Sequence, residues 1–228
     1  FAGGVGGAKM AESLSLPANI SLNVISNIAD DDYFHGLYVS PDVDTLIYTL
    51  SANIDRSKGW GVANDTFKAL EILNKLGNRT WMNLGDFDLG LHIYRTEQLK
   101  NKALLSEVTK NISKSFNIKH NITIPTNDKV RTKILSEDGW LSFQEFFVRE
   151  KCKVKIKKIS FEGINKAEAT DESLNYIKNA DIIVFGPSNP IVSISPIIKI
   201  KGIKKALQKS KSLRLPPQSD ERTGTKRG

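Results

Sequence analysis

Cysteine is almost absent. Cys152 stands alone among 228 residues, so no internal disulfide can brace the fold, and a reducing, cytoplasmic setting is expected. Its neighbours Lys151 and Lys153 would favour a thiolate, but an incidental cysteine at the start of a strand is the simpler reading. Long hydrophobic runs are also missing. No window approaches the ~18 apolar residues of a membrane helix, so no membrane partner is expected. The N-terminus has no basic flank followed by an apolar stretch, and no secretory signal is read there. No zinc-finger spacing, aromatic RNA-binding strand or recognition-helix pattern accompanies the net charge of +8, and nucleic acid is not the expected partner. Part of that charge lies at the end, where residues 211–228 hold five Lys or Arg against two acidic residues.

What is present is a globular composition, 39% hydrophobic and 25% charged, with length enough for one sizeable core. Ala8, Met10, Ala11 and Leu14 follow helical spacing up to Pro17. Ile20, Leu22 and Val24 then alternate as a strand that runs into Asp30-Asp31-Asp32. Turn, helix and strand make the later part of a β-α-β unit whose first strand is reduced to Phe1-Ala2. Further helices are predicted from Asp44 to Leu50, after the capping residues Asp65 and Thr66 with Gly77 as a stop, from Asp88 to Leu99, and from Leu104 to Phe116. Short β-branched and aromatic segments fill 118–165. There Asp138-Gly139 makes a hairpin turn and Val154–Phe161 a lysine-rich edge strand. A helix over 171–179 leads to Asp181–Phe185, read as a parallel strand buried on both faces, then to Gly186-Pro187-Ser188-Asn189-Pro190 and a helix over 202–209.

The expected fold is therefore α/β, a Rossmann-like three-layer parallel sheet with a small β-rich insertion, truncated at both ends. One domain is expected over 1–210, with 118–165 as the insertion and 211–228 as a disordered or non-native tail.

Four constellations could carry chemistry. In Gly3-Gly4-Val5-Gly6-Gly7-Ala8-Lys9, glycines let backbone N–H groups approach a phosphate, the following helix adds its positive end, and Lys9 adds a charge. A tight strand-to-helix turn without ligand is the plain alternative. Asp30, Asp31 and Asp32 lie at a strand end, where α/β sheets place ligands, and Pro41-Asp42-Val43-Asp44-Thr45 follows. Carboxylates from two such loops can hold Mg²⁺ beside a phosphate, the parts of a phosphoryl-transfer site, although Asp44 also suits a helix cap. Asp88, His92 and Arg95 share a face if their stretch is helical. They would either orient an anionic substrate or form a structural ladder. Ser188 and Asn189 offer hydrogen bonds to a base, ribose or phosphate, or shape a structural turn.

Together and in this order the motifs resemble the 2-phospho-L-lactate transferase family of coenzyme F420 biosynthesis. The matching stretches are Gly3–Lys9, Asn27–Asp31, His35–Thr45, Gly59-Trp60-Gly61, Asn64–Phe67, Leu84-Gly85-Asp86, His92, Arg95-Thr96, Phe143-Gln144-Glu145 and Gly186–Pro190 with Ser193. The resemblance implies transfer of a phospholactyl group, or its enolpyruvyl counterpart, from a guanosine diphosphate conjugate to the deazaflavin Fo, with Mg²⁺ required and GMP leaving. It implies phosphate binding by Gly3, Gly4, Gly6, Gly7 and Lys9, and nucleotide binding by Ser188 and Asn189. Catalytic roles fall to Asp30, Asp31 and Asp44, with Asp30 and Asp44 as metal ligands. Asp44, Asn83, Asp86, His92 and Arg95 would face Fo. A homodimer is implied by analogy alone. A nucleotide-binding regulatory relative without transferase chemistry, or a dinucleotide oxidoreductase, would share parts of this pattern.

Overall fold

The computed structural model describes residues 1–215. Its centre is a parallel sheet. Strand β1 (Asn23–Ile25) pairs in parallel with β4 (Asn121–Thr123), and β8 (Ile182–Val184) with β9 (Leu213–Leu215). Phe1 and Ala2 join the two pairs. Phe1 exchanges hydrogen bonds with Val184 and Gly186, and Ala2 with Ile25 and Asn27. The expected first strand is thus present as these two residues.

Strand alternation sends successive side chains to opposite faces. Ala2, Val24 and Ile122 join one core with helices α1 (Gly4–Ser15), α2 (Pro41–Leu50), α4 (Asp86–Lys100) and α5 (Leu105–Ser115). Ile25 and Ile183 join a second core with α6 (Asp171–Asn179), α7 (Ser195–Lys199) and α8 (Ile203–Lys209). Helices on both faces make the three-layer α/β arrangement that the sequence predicts. Helix α6 begins where its sequence directs, with Thr170 accepting from the Ser173 N–H and two acidic residues in the first turn.

Several details differ from expectation. Strand β8 is not buried on both faces, because Ile182 is 54% exposed while Ile183 enters the core. Residues 118–165 divide. β4 belongs to the parallel sheet, and β5 (Arg131–Leu135), β6 (Trp140–Ser142) and β7 (Lys158–Glu162) form an antiparallel sheet in the order β6-β5-β7. The lysine-rich strand is its edge, as expected, but it spans Lys158–Glu162 in place of Val154–Phe161. Asp32–Phe34 (β2) and Leu37–Val39 (β3) make a hairpin that the sequence did not announce. Its turn is closed by His35 and Gly36, both at positive φ. Of the tail expected from 211, Leu213–Leu215 form β9, and residues 216–228 lie outside the described residues.

Helix α3 (Lys68–Lys75) ends at Gly77, whose φ of +85° suits glycine. Its N-terminus is capped from afar. Asp86 accepts from the N–H groups of Lys68 and Ala69, both at 3.1 Å, and from the Thr66 hydroxyl. Asp65, expected to cap α3, instead accepts from the Phe87 N–H of α4 at 2.9 Å. The two helix starts exchange their caps. Among the described residues no helix is long and apolar enough to cross a membrane.

Candidate active site

The site begins where β1 ends. The Asn27 N–H donates to Ala2 O, and the chain then turns so that the Asp31 N–H meets Ile28 O. Asp30 and Asp31 are buried at this turn. The first turn of α2 arrives beside them. Pro41 opens that helix, which suits a residue without an N–H, and Asp42 and Asp44 fall in its first turn. Asp42 Oδ1 accepts from the Gly4 N–H at 2.7 Å, and its Oδ2 accepts from Asn27 Nδ2 at 2.9 Å. The same Nδ2 donates to Asp30 Oδ2 at 3.0 Å. One asparagine amide therefore joins two carboxylates from separate elements.

Asp31 is held differently. Its Oδ2 accepts from the Ser40 hydroxyl at 2.8 Å and the Tyr38 hydroxyl at 3.0 Å. Arg131 Nη2 donates to the same Tyr38 oxygen at 2.9 Å. Burial pushes the Asp31 carboxyl up to about 7, against the pull of the Arg131 guanidinium. Burial also raises Asp30, with the Asp42 charge adding to it, and raises Asp42. Asp30 Oδ1 and the Thr132 hydroxyl are each buried without a hydrogen-bond partner, and Thr132 lies near enough to pull the Asp30 carboxyl down against the effect of burial.

Asp44, His92 and Arg95 come together, but away from solvent. Arg95 Nη1 donates to Asp44 Oδ2 at 3.1 Å, and Nη2 makes a second, short contact to Oδ1. The Ser40 N–H also reaches Asp44 Oδ2 at 3.3 Å. His92 Nδ1 lies 3.7 Å from that oxygen. Burial, then Arg95, pushes His92 down to about 3, so it is neutral at physiological pH. Asp88, on the same face of α4, accepts from the Tyr48 hydroxyl of α2 at 2.6 Å. The shared face predicted by the spacing exists, and it packs on α2 instead of opening to a ligand. The geometry gives Asp44 a guanidinium as its partner, where the sequence suggested a metal.

In the glycine turn the Gly3 N–H donates to Ser188 Oγ at 3.1 Å and the Gly4 N–H to Asp42. Gly4 has φ +62° with open space around it. A Cβ on Gly6 would lie 2.0 Å from Pro187 O, and one on Gly7 2.8 Å from Ser188 Oγ. These glycines thus let α1 rest against the 186–190 loop. Lys9 is exposed, and its side chain passes Gly59. Asn189 Oδ1 accepts from the N–H groups of Ile191 and Val192, capping the π-helical stretch Pro190–Ile194. Asn83 is exposed, and Asp86 serves α3 as described.

A polar cleft of about 340 Å³ opens by the β2–β3 hairpin, lined by Asp32, Tyr33, Phe34, Arg79, Trp81 and Lys133 among others. A wider groove of about 1360 Å³ follows α7 and α8 past Phe185, Ile194 and Ile198. Its lining contains no carboxylate and none of the site residues predicted from sequence.

Among the described residues no three His, Cys, Asp or Glu side chains stand together as a metal cage. The pair Asp30 and Asp42 nevertheless fits a hard cation that keeps water or phosphate oxygens as further ligands. The fit rests on the unpartnered Oδ1 of Asp30, a residue only 5% exposed. Asp44 fits less well, since the Arg95 guanidinium already neutralises it and would repel a cation. Sequence alone does not mark Asn27, Tyr38 or Arg131 as site residues, and it points to Asp44 where the fold brings Asp42 to Asp30. An asparagine at a strand end, two residues removed from an acidic triplet, is the available signal for Asn27.

A parallel α/β sheet with buried carboxylates and a glycine turn at its strand ends places the chain among the open-sheet α/β proteins, whose ligands sit at the carboxyl ends of the strands. The family model for 2-phospho-L-lactate transferase CofD matches residues 1–215. The chain is 35% identical over 219 residues to the 2-phospho-L-lactate transferase of Methanosarcina mazei, covering 95% of this chain and 72% of that protein. It is 37% identical over 222 residues to the enzyme of that name from Methanocaldococcus jannaschii, covering 95% and 71%. It is 34% identical over 231 residues to the phosphoenolpyruvate transferase of Mycobacterium tuberculosis, covering 92% and 70%. The crystal structure of protein BH3568 from Bacillus halodurans superposes with a TM-score of 0.66 at 21% identity, over 95% of this chain and 66% of that one. That last likeness establishes the fold alone, and the chain spans about two thirds of that structure's length. The chain belongs to the 2-phospho-L-lactate transferase family, a family of transferase enzymes.

Proposed function

We propose that the chain transfers a 2-phospho-L-lactate group, or its enolpyruvyl counterpart, from a guanosine diphosphate conjugate to the deazaflavin Fo, with Mg²⁺, in coenzyme F420 biosynthesis. The observation that carries this reading is the buried pair Asp30 and Asp42, joined through Asn27 at the strand ends and touching the glycine turn through Gly4. A terminal ribityl hydroxyl of Fo attacks the phosphorus that bears the lactyl group. The new O–P bond forms, the P–O bond to the guanosine phosphate breaks, and GMP leaves with the bonding pair. The chain's task is positioning and charge neutralisation.

Asp30 and Asp42 would hold Mg²⁺, which when bound neutralises diphosphate charge. The exposed ammonium of Lys9, the start of α1 and the Ser188 loop form the donor side. The hairpin cleft, with Tyr33, Phe34 and Trp81 as apolar walls, is proposed for the flat acceptor. Asp32 lines that cleft and would take the hydroxyl proton. Asp31, His92, Arg95 and Asp86 support the site without touching substrate. The same reading treats residues 1–210 as one domain, in the cytoplasm, assembling as a homodimer.

Mass spectrometry of the chain with Fo, Mg²⁺ and each guanosine conjugate in turn tests this. The phospholactyl or phosphoenolpyruvyl adduct of Fo is expected with one donor or both. Recovery of unmodified Fo with every donor would overturn the reading.

A further inference from the structure

We infer that Asn27 is a positioning residue that sets the spacing of Asp30 and Asp42 for a divalent cation; this rests on the cation reading above. Asn27 is 1% exposed. Its Oδ1 accepts from the Ala29 N–H at 3.0 Å, and this fixes which end of the amide faces the carboxylates. Its Nδ2 then meets Asp30 Oδ2 at 3.0 Å and Asp42 Oδ2 at 2.9 Å, with Val192 O more distant at 3.5 Å. Its backbone N–H is tied to Ala2 O at 2.9 Å, so the donor is anchored to the sheet.

Two carboxylates at close range repel one another, and without a shared donor they would separate. The amide carries no charge. It draws one oxygen of each carboxylate toward a common point and leaves Asp30 Oδ1 without a partner. Asp42 Oδ1 is turned to the Gly4 N–H at 2.7 Å, so the same arrangement ties the pair to the glycine turn. Asn27 therefore links the end of β1, the start of α2 and, through Asp42, the start of α1. A lysine at this position would neutralise the pair, and a third carboxylate would repel it. An amide is the side chain that gathers both carboxylates without adding a charge of its own.

The test is direct Mn²⁺ binding to the whole chain, read by electron paramagnetic resonance without substrates, alongside the thermal unfolding midpoint. Asn27→Ala is expected to weaken Mn²⁺ at least tenfold in the folded protein. Asn27→Ser, which keeps one donor and disturbs packing less, should fall between and serves if the alanine variant does not fold. In an Asp42→Asn background, Asn27→Ala should bring little further loss, because the residue it gathers is already neutral. A residue that only supports the fold would lower the midpoint and leave Mn²⁺ affinity of the folded protein unchanged, and that result overturns the inference alone. Absence of Mn²⁺ binding by the unaltered chain would overturn the cation reading, and the inference with it.

Discussion

Gly6 and Pro187 stand so close that no side chain fits between them: a Cβ on Gly6 would lie 2.0 Å from the Pro187 carbonyl oxygen. The obstacle is backbone, so it cannot swing aside. Gly6→Ala should displace the 186–190 loop from α1 and destabilise the fold by about 1–3 kcal/mol. Gly90, in α4 with nothing near its Cβ position, is the control. Gly90→Ala should stabilise by about 0.5–1 kcal/mol through helix propensity. Denaturant unfolding of both variants checks the pair.

Arg95 is fully buried and matched to Asp44. Arg95→Met should cost about 3–5 kcal/mol, because it leaves a buried carboxylate uncompensated. The double variant Arg95→Met with Asp44→Leu should recover much of that loss. Equal destabilisation by the single and double variants would show that the pair does not act as a unit.

Asp86 caps α3 through the N–H groups of Lys68 and Ala69. Asp86→Ala should speed hydrogen exchange across Lys68–Lys75 while the sheet strands stay protected. If Asp86 instead contacts the acceptor, the substitution should raise the acceptor KM without loosening α3.

His92 gives a pH signature. Its ring titrates near 6.5 when unfolded and about 3 when folded. Between those values the unfolded chain holds a proton that the folded chain lacks, so this residue makes stability fall as pH falls from 6.5 toward 3. The buried carboxylates, with raised folded values, contribute the opposite slope between pH 4 and 7. They cancel when the unaltered chain is compared with His92→Asn. The variant should lose less stability between pH 7 and 5, by about 2 kcal/mol. Identical pH profiles would contradict the burial of a neutral His92.

Local chemistry made much of the fold legible. The Thr170 cap and the acidic start of α6 fix that helix where periodicity put it, and the glycine turn opens α1. Even the residual first strand was readable from the motif it feeds. What escaped depends on partners distant in sequence. Spacing places Asp88, His92 and Arg95 on one face, but it does not say whether that face meets a ligand or the underside of α2. Asp86 reads as a substrate contact until α3 is seen to need a cap from beyond its own sequence. Asp42 and Asp44 are alike in the chain, and only the fold turns one to Asn27 and the other to Arg95. The β2–β3 hairpin stayed hidden because its turn uses His35 at positive φ before Gly36, without a common turn dipeptide.

Transfer itself is the central claim. The most direct measurement is GMP release by the whole chain from lactyl-diphosphoguanosine or its enolpyruvyl analogue, followed with and without Fo, for the unaltered protein and for Asp42→Asn. The account predicts Fo-dependent release that rises with Mg²⁺ and falls at least a hundredfold in Asp42→Asn, with folding intact by circular dichroism. Release that ignores Fo, or that survives undiminished in Asp42→Asn, would contradict it.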